Sequence, residues 1–142
     1  MAEYAICVAT FYDDLAERLV NGAVEAFEEN DVAPTSVHTF EVAGAFELPL
    51  VAQWCAASGR FAGIACLGAV IKGETDHYDF VCAESARGIQ QVALTSGIPC
   101  SFGVITCDTM DQALERAGGD KRDQGRNAAL AVLGMAKLRE SI

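Results

Sequence analysis

Apolar positions recur along this chain in two alternating periods, and the alternation predicts strand and helix in turn. Tyr4 to Thr10 is an uncharged run of apolar and β-prone residues, the composition of a buried strand. Leu15, Leu19, Ala23 and Phe27 then recur every four residues through an acidic stretch, which predicts an amphipathic helix ended by Asn30-Asp31 and Pro34. Ser36 to Val42 reads as a second strand, and Phe46 to Ser58 as a helix entered near Pro49. Phe61 to Ile71 is continuously apolar, as a parallel strand covered on both faces should be. Thr75 or Asp76 can cap the next helix, which runs to about Ser96. Ile98 to Cys107, bounded by Gly97 and Asp108, gives a fourth strand, and helices at about 111–117 and 123–139 follow, separated by Gly118-Gly119.

Strands alternating with helices imply right-handed crossovers and parallel pairing. The expected fold is a three-layer α/β/α sandwich around a four-stranded parallel, flavodoxin-like sheet, in one domain over residues 1–142. Ligands of such sheets collect at the carboxyl ends of the strands. That rule gathers four loops at one edge: Phe11 after the first strand, Gly44 to Glu47 after the second, Lys72 to His77 after the third, and Thr106 to Asp108 after the fourth.

Composition narrows the classes of function. With 51% hydrophobic residues the chain can bury a core, and no segment has the roughly 20 consecutive apolar residues of a membrane span. Met1 to Tyr4 lacks a basic leader, so the expected location is the cytoplasm. The net charge of −10 argues against general nucleic-acid binding. It is uneven: residues 1–47 hold ten acids against Arg18 alone, net −9, whereas residues 116–142 hold six bases and three acids, net +3. Solvated helix faces explain such blocks; the functional alternative is that the basic end supplies cations to an anionic small ligand. Six scattered cysteines with no C-x-x-C pair read as free structural thiols rather than metal or disulfide chemistry.

The loop Lys72-Gly73-Glu74-Thr75-Asp76-His77 carries the chemistry. A glycine turn into a helix start presents free backbone N–H groups to an anion, and the imidazole of His77 is placed to move a proton on whatever the turn holds. Glu47 can cap its own helix or accept hydrogen bonds from a heterocycle N–H. Phe11 and Phe46 can serve the core or stack on a flat ring at the ligand edge. Arg116 can pair with Asp111, Gln112 or Glu115 on its own helix or form a fork to phosphate.

Five blocks, Gly44-Ala45-Phe46-Glu47-Leu48-Pro49, Leu67 to Asp79, Ser85-Ala86-Arg87-Gly88-Ile89, Phe102-Gly103-Val104-Ile105-Thr106 and Gln112 to Gly118, together resemble the 6,7-dimethyl-8-ribityllumazine synthase family over nearly the whole chain. The resemblance implies condensation of 5-amino-6-(D-ribitylamino)uracil with 3,4-dihydroxy-2-butanone 4-phosphate, releasing phosphate and water, with no metal and no organic cofactor. It implies that the pyrimidine stacks on Phe11 and is held by Ala45, Phe46 and Glu47, with Ala69, Val70 and Ile71 lining the base and ribityl side. Phosphate would rest on Gly73, Glu74 and Thr75 with Arg116 supplying charge, and His77 would shuttle protons. The resemblance further implies a homopentamer or larger assembly in which Phe102 and Arg116 come from the neighbouring subunit.

Three features depart from the family's pattern. Gln124 stands where a lysine is usual, leaving Lys121, Arg122 or Arg126 as substitutes, and Ala43 replaces a common proline. An earlier segment, which in many members pairs with the neighbour's sheet, does not precede the first strand here, so assembly is expected to rest on helix faces. Gln124 is the one feature that favours an alternative, a non-catalytic oligomer binding flavin or lumazine. A generic flavodoxin-like nucleotide binder is set aside, because Thr10-Phe11-Tyr12-Asp13-Asp14 is acidic and aromatic rather than Ser/Thr-rich.

Overall fold

The structure is a computed structural model that describes residues 1–119 and 121–142. Asp120, within the Gly118 to Gln124 linker, lies outside the described residues. In chain order the elements are β1 (Glu3–Ala9), α1 (Asp13–Glu29), β2 (Val37–Val42), α2 (Leu48–Ala57), β3 (Phe61–Ile71), α3 (His77–Ser96), β4 (Cys100–Cys107), α4 (Met110–Arg116) and α5 (Gln124–Glu140). All four strands are parallel in the order β2-β1-β3-β4. The chain winds outward from β1 through α1 to β2, then crosses back through α2 to β3 and on to β4. This reversal puts α1 and α5 together on one face and α2 and α3 on the other, the expected three layers.

The alternation within each strand divides its side chains between two cores. Ile6, Val8, Leu67 and Ile105 pack against Leu15, Leu19 and Phe27 of α1 and Val132 of α5. Ala5, Cys7, Ile64, Cys66 and Val104 pack against Leu48 and Val51 of α2 and Ile89 of α3. Burial of a Leu, Ile or Phe side chain contributes about 1.5–3 kcal/mol, so the four-residue repeat of α1 is what fixes that helix to the sheet. Gly125 completes the contact on the far side of α5: its Cα faces the backbone of Leu19, and a Cβ there would overlap the Leu19 carbonyl oxygen. An ion pair, Arg126 Nη2 to Glu29 Oε2 at 2.7 Å, joins the start of α5 to the end of α1.

The helix ends follow local chemistry. Asp123 Oδ1 accepts the Arg126 N–H at 3.1 Å to cap α5, and Thr109 Oγ1 accepts the Gln112 N–H at 3.2 Å to cap α4. Gly97 closes α3 in the left-handed region, φ 73°. Boundaries differ from the sequence reading by one or two residues, β1 spanning Glu3–Ala9 rather than Tyr4 to Thr10 and α2 ending at Ala57 rather than Ser58. Ser36 belongs to a 3₁₀ turn, Pro34–Ser36, before β2; the fourth strand begins at Cys100 rather than Ile98; and Ala45–Glu47 is a 3₁₀ turn leading into α2. Asp76 makes no side-chain cap; Thr75 Oγ1 accepts the His77 N–H at 3.3 Å instead.

All six cysteines are free. Cys7 and Cys55 touch in the α2-side core, Sγ to Sγ 3.9 Å. Burial pushes the Cys100 thiol up to about 11 and also raises Cys82 and Cys107, so these sulfurs stay protonated and unreactive near neutrality. Among the described residues no helix is long and apolar enough to cross a membrane.

Candidate active site

The strand order reverses between β1 and β3, and the crevice beyond their carboxyl ends is where a ligand has room. A pocket of about 520 Å³ opens there, within the size range of small-molecule sites. Of the residues flagged in the sequence, Phe11, Ala45, Phe46, Glu47, Ala69, Val70, Ile71, Gly73, Thr75 and His77 line it. Four segments far apart in sequence thus meet at one place.

Each wall has a local cause. Thr10 binds the end of β2 twice, through its N–H and its hydroxyl to the Val42 carbonyl at 2.9 and 3.3 Å, which fixes where Phe11 projects. Phe11 is 74% exposed and Phe46 58%, so neither is a core residue. Phe11 is braced edge-on by Tyr12, with ring centroids 4.9 Å apart. The Gly44–Glu47 turn closes on itself: the Glu47 N–H donates to the Gly44 carbonyl at 3.1 Å, and the Gly44 N–H donates to Glu47 Oε1 at 3.0 Å. Glu47 therefore caps its turn and lines the pocket together.

Ala69, Val70 and Ile71 line the pocket because β3 runs on beyond Leu67, its last partner position with β1, to end level with β4. The Lys72 N–H continues the ladder to the Cys107 carbonyl at 2.9 Å. The chain then turns through Gly73 to Thr75 into α3, leaving the first N–H groups of that helix at the pocket wall. His77 is exposed at this helix start, and Glu74 is exposed in the same turn but does not line the cavity.

Four lining residues escaped the sequence reading, Tyr12, Tyr78, Phe80 and Val81, and Gly44 was placed in an edge loop without a role of its own. Phe80 and Val81 lie three and four residues beyond His77, so helical spacing alone would have found them. Tyr78 is half-buried, and burial, then the adjacent Cys82, raises its phenol above the usual range. It remains a neutral donor.

Phe102 and Arg116 do not line this pocket. Phe102 projects from the middle of the edge strand β4, where it pairs with Cys66 well below the carboxyl end. Gln124 lies beside it, with Nε2 3.5 Å from the Phe102 carbonyl oxygen. Arg116 bonds within its own helix, Nη1 donating to the Gln112 carbonyl at 2.9 Å and lying 3.5 Å from the Glu115 carboxylate. Lys121 and Arg122 are drawn to the same turn, both N–H groups donating to the Glu115 carbonyl at 2.9 and 3.2 Å. The pocket and the group of Phe102, Gln124 and basic residues thus share no lining residue. Among the described residues no cluster of His, Cys, Asp or Glu is arranged to hold a metal ion.

The sequence profile of 6,7-dimethyl-8-ribityllumazine synthase matches residues 1–140. The chain belongs to the 6,7-dimethyl-8-ribityllumazine synthase family. It is similar to the 6,7-dimethyl-8-ribityllumazine synthase of Desulfosudis oleivorans, 45% identical over 98% of this chain and 88% of that protein. It is similar as well to the enzymes of that name from Desulfatibacillum aliphaticivorans, 43% identical over 96% of this chain and 88% of the other, and Desulfovibrio desulfuricans, 43% over 97% and 88%. Most of the pocket's lining comes from two of the five blocks, Gly44 to Pro49 and Leu67 to Asp79, and the rest from Phe11, Tyr12, Phe80 and Val81.

Proposed function

We propose that this chain condenses 5-amino-6-(D-ribitylamino)uracil with 3,4-dihydroxy-2-butanone 4-phosphate to 6,7-dimethyl-8-ribityllumazine, a step of riboflavin biosynthesis in the cytoplasm. The observation that carries the reading is the convergence of two exposed aromatic rings, a half-engaged carboxylate and a glycine turn with an adjacent histidine on one pocket. A flat heterocycle fits between the rings of Phe11 and Phe46. Glu47 offers a carboxylate oxygen to its N–H groups, and Ala69, Val70 and Ile71 accept the base and ribityl chain. The turn Gly73, Glu74 and Thr75 meets phosphate with backbone N–H groups.

The chemistry then runs through protons. The 5-amino nitrogen attacks the ketone, and loss of water gives an imine. Removal of a proton beside the imine expels the phosphate. The enol so formed takes a proton at its terminal carbon and becomes a new ketone at C3; the ribitylamino nitrogen attacks that carbonyl, and a second water leaves as the ring closes. His77 gives and takes the proton at these steps.

The reading requires an oligomer, pentamer or larger. Phe102 and Arg116 stand outside this chain's own pocket, and a neighbour oriented head to tail would deliver Phe102 over the heterocycle and Arg116 to the phosphate. The test mixes the purified protein with both substrates and follows the lumazine by absorbance and fluorescence. Product above the uncatalysed background is expected. Binding of lumazine without turnover would instead establish the binding-only alternative.

A further inference from the structure

Four of the six cysteines gather in the core between the sheet and the layer of α2 and α3: Cys7, Cys55 and Cys66 are buried, and Cys100 packs against them. None of the four lines the active-site pocket. Cys7 lies in β1 with Cys66 beside it in register on β3, and Cys55 hangs over it from the last turn of α2, Sγ to Sγ 3.9 Å. Two sulfurs at that distance touch with nothing between them. Packing alone asks for small apolar side chains at these places, but two thiols that face each other from different elements share a chemistry of their own.

We propose that Cys7 and Cys55 form a site of reversible oxidation, at which hydrogen peroxide converts the two thiols to a disulfide that staples α2 to β1. The Cys55 sulfur attacks one peroxide oxygen, the O–O bond breaks, and Cys55 becomes a sulfenic acid while its thiol proton leaves with the other oxygen as water. Cys7 then attacks the Cys55 sulfur, the S–O bond breaks, and the hydroxyl departs with the Cys7 proton as a second water. Two thiols thus give two electrons to one peroxide, and a dithiol reductant returns them.

Access sets the oxidant. Cys7 is 0% exposed and Cys55 6%, so a small uncharged peroxide reaches Cys55 whereas bulky, anionic glutathione disulfide does not. Reach sets the partner. Closing from 3.9 Å to the ~2.05 Å of a disulfide takes rotation of both side chains about χ1 and a shift of the end of α2. That end can follow, because the helix has only ten residues and runs out through Gly59, which lies in the left-handed region, φ 72°, with open space about it. Protonation sets the pace. The hydrogen bond with Cys7, then burial, hold the Cys55 thiol far above its ordinary range, so thiolate is scarce and the pair answers sustained peroxide rather than a brief pulse. The staple closes a loop from residue 7 to residue 55, which carries both Phe11 and the Gly44–Glu47 wall of the pocket. Such a loop restricts the unfolded chain, and the oxidised protein should melt roughly 5–15 °C above the reduced one.

The full-length protein, reduced and folded, is held in hydrogen peroxide at neutral pH; remaining thiols are then alkylated in denaturant and the digest is read by mass spectrometry. A Cys7–Cys55 cross-link two hydrogens lighter than the separate peptides, reversed by dithiothreitol, is expected together with the higher melting temperature. Glutathione disulfide under the same conditions should leave Cys55 unmodified. Cys66→Ala should keep the cross-link, and Cys55→Ala should lose both the link and the melting shift. Cys7 joined to Cys66 instead, Cys55 carried on to sulfinic acid beside a free Cys7, glutathione attached at Cys55, or both thiols recovered free from prolonged peroxide would each overturn the pair, and all four are read on the parent without any variant.

Discussion

The Gly44 N–H donates to Glu47 Oε1 at 3.0 Å, so one carboxylate oxygen shapes the turn while the other is left for a ligand. The two duties separate by substitution. Glu47→Gln keeps an oxygen acceptor for Gly44 but removes the charge offered to a heterocycle N–H; Glu47→Ala removes both. Loss of the cap should cost about 0.5–2 kcal/mol, and loss of a hydrogen bond to a charged group about 1.5–3 kcal/mol, or roughly 10- to 150-fold in affinity. Thermal melts should therefore place Gln near the parent and Ala below it. Both variants should show a raised KM for the pyrimidine substrate. A Gln variant with unchanged KM would leave Glu47 only its structural duty.

His77 stands exposed at the first turn of α3, its N–H held by Thr75 Oγ1 at 3.3 Å. The side chain takes no part in packing, so His77→Ala should melt with the parent. A positioned proton donor and acceptor typically contributes about 10² to 10⁴ in rate, and kcat should fall on that scale, less where uncatalysed condensation is fast. Steady-state kinetics with both substrates saturating would check it. Equal kcat would remove His77 from the proton path.

Arg116 does not line the pocket that holds His77, which makes the proposed pairing of the two across subunits directly testable. Arg116→Ala alone should raise KM for the phosphate substrate while kcat changes less. Unfolding and refolding a mixture of His77→Ala and Arg116→Ala chains should then regain activity above either variant. Random assembly leaves about a quarter of the interfaces with both side chains intact. No regain in assembled mixtures would place both residues in the same subunit's site.

The periodic parts of this fold were legible because each obeys a short-range rule. The uncharged run Phe61 to Ile71 is the strand β3 from end to end, and the four-residue repeat from Leu15 to Phe27 is the buried stripe of α1. The rule that ligands lie at carboxyl strand ends named the loops that supply Phe11, Ala45, Phe46, Glu47, Gly73, Thr75 and His77 to the pocket, whereas Ala69, Val70 and Ile71 came only from the family resemblance. What stayed hidden depends on partners distant in sequence. Ser36 and Ile98 carry no signal that pairing starts one and two residues later, because a strand begins where its neighbour offers a ladder. Phe102 sits in a block of family pattern yet does not line this pocket, since it stands on the edge strand β4 well before that strand's carboxyl end.

Glu29 and Arg126 tie α1 to α5 at 2.7 Å, and the pair should make stability depend on pH in one direction. The bond from Arg126 holds the Glu29 carboxyl below its ordinary range, so the folded chain binds that proton less readily than the unfolded chain. The contribution is therefore complete above the unfolded value, near ~4.3, and is lost as pH falls through the lower folded value. Parent and Glu29→Gln should differ in Tm at pH 7, with the parent higher, and converge at about pH 3. The difference should also shrink at 1 M salt, where the screening length is ~3 Å. A gap that ignored both pH and salt would assign the effect to packing rather than charge.

Gln124 occupies the first position of α5, with its amide 3.5 Å from the Phe102 carbonyl, where the family resemblance puts a lysine. Two effects of Gln124→Lys oppose each other. A cation at a helix N-terminus is disfavoured by the dipole, by about 0.3–1 kcal/mol, so the variant should melt slightly below the parent. In a site completed by a neighbour, the same ammonium would face the phosphate-bearing substrate, and a partly exposed ion pair of about 0.2–1 kcal/mol corresponds to at most roughly fivefold in affinity. KM for the phosphate substrate should fall by that factor at low salt and return toward the parent's at high salt, while KM for the pyrimidine stays put. An unchanged KM at every ionic strength would mean that position 124 lies beyond reach of the phosphate, and that Arg116 meets its charge without help from the start of α5.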